Sequence, residues 1–198
     1  MPQPIELQIG SNQTLVFTRR NTKIIGNVYE GDEDIAQIHM SLPGTAHRYA
    51  FLHGFYASKK GVGKKMLCAL MEFLVSEEYL DETDEIKLQA SGGSCSHKHH
   101  TTAEADLDQY LLQYPDLYSD LKFDARRLGH VEPTYEEKAH AVCASKANDK
   151  LIAYYNREYG FTVDAKFGMH ADMTSTIGKL LTGCRTPAVR GGRSRKRS

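Results

Sequence analysis

The chain has no apolar run approaching the ~20 residues that cross a bilayer, which excludes a membrane-spanning helix. Its first residues, MPQPIELQIG, lack the basic-then-apolar pattern of a signal peptide. The four cysteines, Cys68, Cys95, Cys143 and Cys184, form no CxxC pair and no dense framework. That excludes a disulfide scaffold, and the expectation is free thiols in a reducing, cytoplasmic compartment. Acidic residues are missing from the last 14 positions, RTPAVRGGRSRKRS, which hold Arg185, Arg190, Arg193, Arg195, Lys196 and Arg197. These six leave 19 basic residues against 25 acidic ones, so a net charge of zero conceals a body of about −6. From residue 184 onward the tail has too little apolar content to order itself. It reads as a solubilising end, a contact for nucleic acid, or a nuclear localisation signal.

What is present fits one domain over residues 1–183. A length of 198 residues allows one sizeable core, and 40% apolar with 25% charged residues is an ordinary globular balance. The front half reads as strands: IELQI, TLVFT, KIIGNVY and DIAQIHM are short alternating runs broken by Gly, Asn, Asp and Ser. Tyr49 to Ala57 (YAFLHGFYA) is more continuously apolar, as a central strand would be. Between Gly61 and Tyr79, Val62, Met66, Leu67, Leu70, Phe73 and Leu74 recur at helical spacing. EIKLQA, Glu85 to Ala90, is the next strand, so a parallel crossover is expected. Residues 91–133 are different in kind, opening on the loop SGGSCSHKHHTT. Thr101 with Glu104 offers a capping box for a helix through Tyr114, which Pro115 would end. Thr134 with Glu137 offers a second, opening one long helix, or two broken near Asn148, before Gly160. FTVDAKFGMH returns to strand, and TSTIGKLL is a last short element.

The stretch SKKGVGKKML, Ser58 to Leu67, sits between the central strand and the first helix. A nucleotide P-loop needs GxxxxGK followed by Ser or Thr. Here Lys65 follows Gly63-Lys64, and Ser58 stands where the first glycine belongs. A dinucleotide fingerprint needs a third glycine where Met66 stands. Both are excluded. What survives is a helix start whose amides lack partners, whose dipole favours an anion, and whose glycines permit close approach. Such a loop binds a phosphate or pyrophosphate; the alternative is a glycine-softened helix start with solvated lysines.

Ser-Lys-Lys-Gly-Val-Gly in this setting resembles motif A of the GNAT superfamily of N-acetyltransferases, which shows Gln/Arg-x-x-Gly-x-Gly/Ala. NDKLIAYYNREYGF, Asn148 to Phe161, resembles that family's motif B: an Asn, a Tyr seven residues later, then Gly-Phe entering a strand. The resemblance covers roughly Tyr49 to Ala90 and Asn148 to His170. It implies a mixed, mostly antiparallel central sheet with a β-α-β crossover and splayed strands at the cofactor site. A helical insertion would lie between the fifth strand and the motif B helix. It also implies acetyl-CoA as co-substrate and direct attack by a primary amine; the acidic, tyrosine-bearing runs SEEYLDETDE and EADLDQYLLQYPDLYSD put polyamines and protein lysine or N-terminal amines foremost, and no metal is expected. The cofactor-binding set it implies is Phe55, Tyr56, Ala57, Lys59, Lys60, Gly61, Val62, Gly63, Lys64, Asn148 and Tyr155. A strand amide near Phe55 to Ala57 would polarise the thioester carbonyl, and Tyr155 would protonate the leaving thiolate.

The sequence departs from the family in three ways. Ser58 stands where the family has Gln or Arg, with Lys59 or Lys60 as substitutes. Tyr155 lies five residues before Gly160 where four are usual, so Tyr154 and Asn156 remain open beside it. The front half shows little of the helix pair that shapes the acceptor site, and the inserted segment is the expected replacement for that wall. For a general base His53, Asp84 and Glu85 are candidates. CSHKHH offers Cys95, His97, His99 and His100 as donors, but in a spacing that suits adventitious rather than structural metal binding. The competing readings are a non-catalytic acyl-CoA-binding module, an enzyme for longer acyl groups, and a nucleic-acid-binding protein using its basic tail.

Overall fold

The computed structural model describes residues 3–45, 48–91, 102–167 and 170–185. Five strands open the chain as an antiparallel meander: β1 (Ile5–Gly10), β2 (Gln13–Arg20), β3 (Lys23–Glu30), β4 (Glu33–Ser41) and β5 (Ala50–Ala57). The hairpins β2–β3 and β3–β4 turn on two residues each. They use Asn21 at φ 54 and Gly31 at φ 62, the left-handed geometry that matches strand twist. Helix α1 (Val62–Ser76) crosses to β6 (Glu85–Ser91), which pairs with β5 in parallel. Helices α2 (Glu104–Gln113), α3 (Pro115–Arg127) and α4 (Tyr135–Tyr159) follow. The chain then returns as β7 (Thr162–Phe167) and β8 (His170–Thr176) and closes with α5 (Ile177–Arg185). The eight strands form one sheet in the order β1-β2-β3-β4-β5-β6-β8-β7, mostly antiparallel with one crossover.

One core lies on one face of this sheet. Val62, Met66, Leu67, Leu70, Met71 and Leu74 of α1, Tyr155 and Tyr159 of α4, and Ile177, Leu180 and Leu181 of α5 pack there. They meet the inward residues of the strands, among them Leu15, Ile38, Leu52, Leu88 and Met173. A second, smaller core joins Leu107 and Leu111 of α2 and Leu117 of α3 to Ala139, Ala141 and Val142 of α4. Helices α2 and α3, which follow β6, thus pack on the first half of α4, and the sheet packs on its second half.

Several expectations are corrected here. The capping box of α4 is present, with the Thr134 hydroxyl accepting from the Glu137 amide and the Glu137 carboxylate accepting from the Thr134 amide. α4 is one unbroken helix, ended by Gly160 at φ 67. The first residue before α2 is Ala103, with no side-chain cap, and Thr101 lies outside the described residues. Pro115 opens α3 rather than merely ending α2, because a first-turn proline forfeits no helical hydrogen bond. Phe161 to His170 spans two strands, not one.

The expectation of free thiols does not hold. Cys68 of α1 and Cys184 of α5 are bridged, with Cα atoms 5.5 Å apart, and no described cysteine is a free thiol. α5 packs on α1 and extends through Arg185, two residues past the expected domain end. The inferred reducing compartment loses its ground in the sequence. Among the described residues no helix is long and apolar enough to cross a membrane. The cluster Cys95, His97, His99 and His100 and the basic residues from Arg190 to Arg197 lie outside the described residues.

Candidate active site

The pairing of β5 and β6 is short. It runs from Ala50↔Ile86 to Leu52↔Leu88 and stops. Beyond that point β5 stays on β4, reaching Ala57↔Ala36, whereas β6 stays on β8, reaching Ser91↔His170. The two strands part, and their facing main-chain groups are left to a third party. The expected splay is therefore present, at Leu52 and Leu88.

A bulge on β5 marks the same place. Met40 opposes Leu52 and His39 opposes Gly54, so His53 is an extra residue with no opposite number. It shifts the strand's alternation by one. Ala50 and Leu52 face the core, and after the bulge Phe55 and Ala57 do: a Cβ on Gly63 of α1 would lie 3.0 Å from the Phe55 Cζ and 3.5 Å from the Ala57 Cβ. Gly63 thus serves close packing of α1 onto β5. Tyr56 points to the opposite face and is 65% exposed.

Above the parting stands the start of α1. Its N-cap is Gly61 at φ 83, with open space where a Cβ would be; there is no side-chain cap and no acid in the first turn. The Val62 amide donates to the Lys59 carbonyl, while the Gly63 and Lys64 amides fall in the first turn, where no helical acceptor exists. α2, α3 and α4 each carry an acid in that turn.

The flanking lysines divide. Lys59 is held by Glu30 at 2.5 Å and Glu33 at 3.2 Å, Lys64 by Glu158 at 3.3 Å, and Lys65 by Gln13 at 3.2 Å. The hydrogen bond to Glu30 raises the pKa of Lys59, and the same contact lowers that of Glu30. Arg157 and then Lys64 hold Glu158 below the ordinary carboxylate value. Lys60 is exposed and has no ion pair among the described residues. Ser58 turns away: its hydroxyl donates to the Ile35 carbonyl at 3.0 Å.

On α4, Asn148 is fully buried, and neither its amide nitrogen nor its oxygen has a partner. An unsatisfied buried amide costs about 1–3 kcal/mol. Seven residues on, Tyr155 is 6% exposed and packs against Tyr154, Tyr159 and Phe161. Burial, then the neighbouring Tyr154, pushes its phenol up to about 12. Asn156 is exposed and donates to the Phe161 carbonyl at 2.8 Å, and the Tyr154 hydroxyl is 3.2 Å from that of Tyr159. Of the three residues open at the acid position, Tyr155 is the one α4 buries most deeply.

On the other face of the sheet a groove of about 820 Å³ runs over β3, β4 and β5, lined by Lys23, Ile25, His39, Ser41, Phe51 and His53 among others. The His53 Nε2 is 2.7 Å from the Ser41 Oγ, and its ring centroid 4.8 Å from that of Phe51. The His39 Nε2 is buried without a partner. Of the described residues within 91–133, none lines this groove. Ser41, His39, Phe51 and Lys23 escape sequence reasoning because their strands alternate without marking which face is used. Asp84 and Glu85 lie at the far, entering end of β6.

No family model matches the chain, and no curated protein matches it. A crystal structure of the aminoglycoside 6'-N-acetyltransferase from Enterococcus faecium is similar at 15% identity and a TM-score of 0.38. The match covers 80% of this chain and 76% of that one.

Proposed function

We propose that the chain is an acetyl-CoA-dependent N-acetyltransferase acting on a primary amine. The observation that carries the reading is the parting of β5 and β6 beneath an acid-free, uncapped helix start, with a groove behind the bulge at His53. The likeness of Ser58 to Gly63 and Asn148 to Phe161 to motifs A and B supports it.

The residues fit the donor. The Gly63 and Lys64 amides and the exposed Lys60 suit a pyrophosphate. The parted strand edges and the orphaned Asn148 amide suit a chain bearing amides, as pantetheine does. Bound acetyl-CoA supplies a thioester whose acyl carbon forms a C–N bond as its C–S bond breaks. His53, hydrogen-bonded to Ser41, takes the proton that the attacking amine releases. A β5 amide past the bulge donates to the carbonyl oxygen as it gains charge. Tyr155, a phenol kept protonated by burial, gives its proton to the departing thiolate. The protons balance: one leaves the amine, one joins the thiol.

Calorimetry with coenzyme A and release of free thiol with a panel of amines test the proposal. Millimolar coenzyme A without heat, together with no thiol release, would refute it. The burial of Tyr155 favours a second reading, a module that binds acyl-CoA without turnover. Coenzyme A binding without thiol release on any amine would select it. A contact with nucleic acid through Arg185 to Arg197 is a separate proposal. Removing that tail should flatten the salt dependence of binding.

A further inference from the structure

We infer that the acceptor is a monoamine with an apolar body and a neutral or anionic far end, and not a polyamine. It would lie in the groove over β3–β5 with its nitrogen at His53 and its far end toward Lys23. The inference rests on the transferase reading for its chemistry, but the binding class follows from the groove alone.

The charge of the lining is the first argument. Among the thirteen described lining residues there is no carboxylate. The charged or titratable members are Lys23, His39, His53 and Tyr49. A polyamine keeps at least one ammonium when another nitrogen is neutral and attacking, and an ammonium leaving water needs a carboxylate or several oxygen acceptors. This groove offers it lysine instead. Lys23 has no ion pair among the described residues. On the opposite flank Lys87 sits over the Tyr49 ring at 4.6 Å, with Glu85 at 4.0 Å as its exposed partner. Lys23 is thus the one lysine or arginine among the described lining residues.

The second argument is register. Lys23 opposes Ser41, and Ser41 opposes Phe51, so the three share one row across β3, β4 and β5. Ile25 opposes His39, and His39 opposes Gly54, in the next row on the same face. Lys23 and the bulge at His53 are thus two strand spacings apart across the sheet and about one row apart along it, about 11 Å between main chains. Between them lie Ile25, which is 49% exposed, and Phe51. An apolar body of one ring and a short tether spans that distance.

The test uses the full chain and three amines: 2-phenylethylamine, 4-(2-aminoethyl)benzoate and spermidine. Both aryl amines should show kcat/KM at least about tenfold above spermidine. The benzoate should exceed 2-phenylethylamine by about threefold, as one exposed ion pair allows. Lys23→Glu, a surface charge reversal, should bring that ratio below one. Preference for spermidine, or a ratio that Lys23→Glu leaves unmoved, would overturn the inference. A binding arm separates this from failure of the transferase reading. 4-Ethylbenzoate, which has no amine, is titrated into the protein without acetyl-CoA, and the His39 and His53 ring signals are followed by NMR. If coenzyme A fails to bind yet these signals shift, the groove assignment stands and the enzyme reading falls. If coenzyme A binds and they stay still, the assignment falls alone.

Discussion

At the scale of single residues, Tyr155 has two separable consequences. If Tyr155 is the proton donor proposed above, its removal should cut turnover while leaving the cofactor in place: Tyr155→Phe is expected to lower kcat by about tenfold to a hundredfold, with coenzyme A affinity by calorimetry unchanged. Its burial also makes a claim about stability. The folded phenol titrates near 12 against 10.0 when unfolded. Between those values the folded state holds the extra proton, so stability falls as pH rises. The contribution is fully present below pH 10 and is lost progressively toward 12, at most about 2–3 kcal/mol. Burial also pushes Tyr159 upward, in the same direction. Urea midpoints from pH 9 to 11 should therefore fall less steeply in Tyr155→Phe than in the parent. A parallel decline would show that the phenol is already solvated. The spacing Asn148 to Tyr155 was readable in the sequence because a helix preserves intervals. The bulge was not, because what makes His53 an extra residue is the pairing of Met40 with Leu52 and of His39 with Gly54. The use of Ser58 was hidden for a similar reason, its partner being the carbonyl of Ile35, 23 residues earlier.

At the scale of elements, α5 does more than its short sequence suggests. It lies against α1 and α4, and Gly183 sits where a Cβ would come within 1.9 Å of the Glu158 carbonyl oxygen, a main-chain atom that cannot swing aside. Gly183→Ala should separate α5 from α4 at a cost of about 2–3 kcal/mol, read as a lower urea midpoint with an unchanged slope. The Cys68–Cys184 bridge closes a loop 116 residues long. In the unfolded chain that restraint is worth about 2–4 kcal/mol, so Cys68→Ser should lower Tm by on the order of 10 °C. Reductant should do the same to the parent and nothing further to the variant at this bridge. The long α4 was legible because its capping box and its terminal glycine are local signals. α5 and the bridge were not. TSTIGKLL has too few turns to show a period, and nothing local pairs cysteines so far apart.

At the scale of the molecule, the described helices that pack in the sheet's core, α1, α4 and α5, share one face, and the proposed chemistry would work across the sheet from one face to the other. The donor would enter between α1 and α4, the acceptor from the bare face, and the break between β5 and β6 is where they meet. This arrangement predicts a conflict between stability and function that can be read in one residue. Asn148 keeps both polar side-chain atoms buried without partners, at the helix that packs on β6. Asn148→Leu, of similar volume, removes that penalty and should stabilise the free protein by about 1 kcal/mol. A ligand that binds only the folded state stabilises it by about 2.7 kcal/mol at a hundredfold excess over Kd. In the parent, part of that gain comes from satisfying Asn148. Thermal unfolding with and without coenzyme A should therefore show the variant starting higher and shifting less, the two melting curves drawing together as the ligand saturates. A variant that starts lower, or that shifts as far as the parent, would mean that Asn148 is held by buried water and that the donor does not reach it.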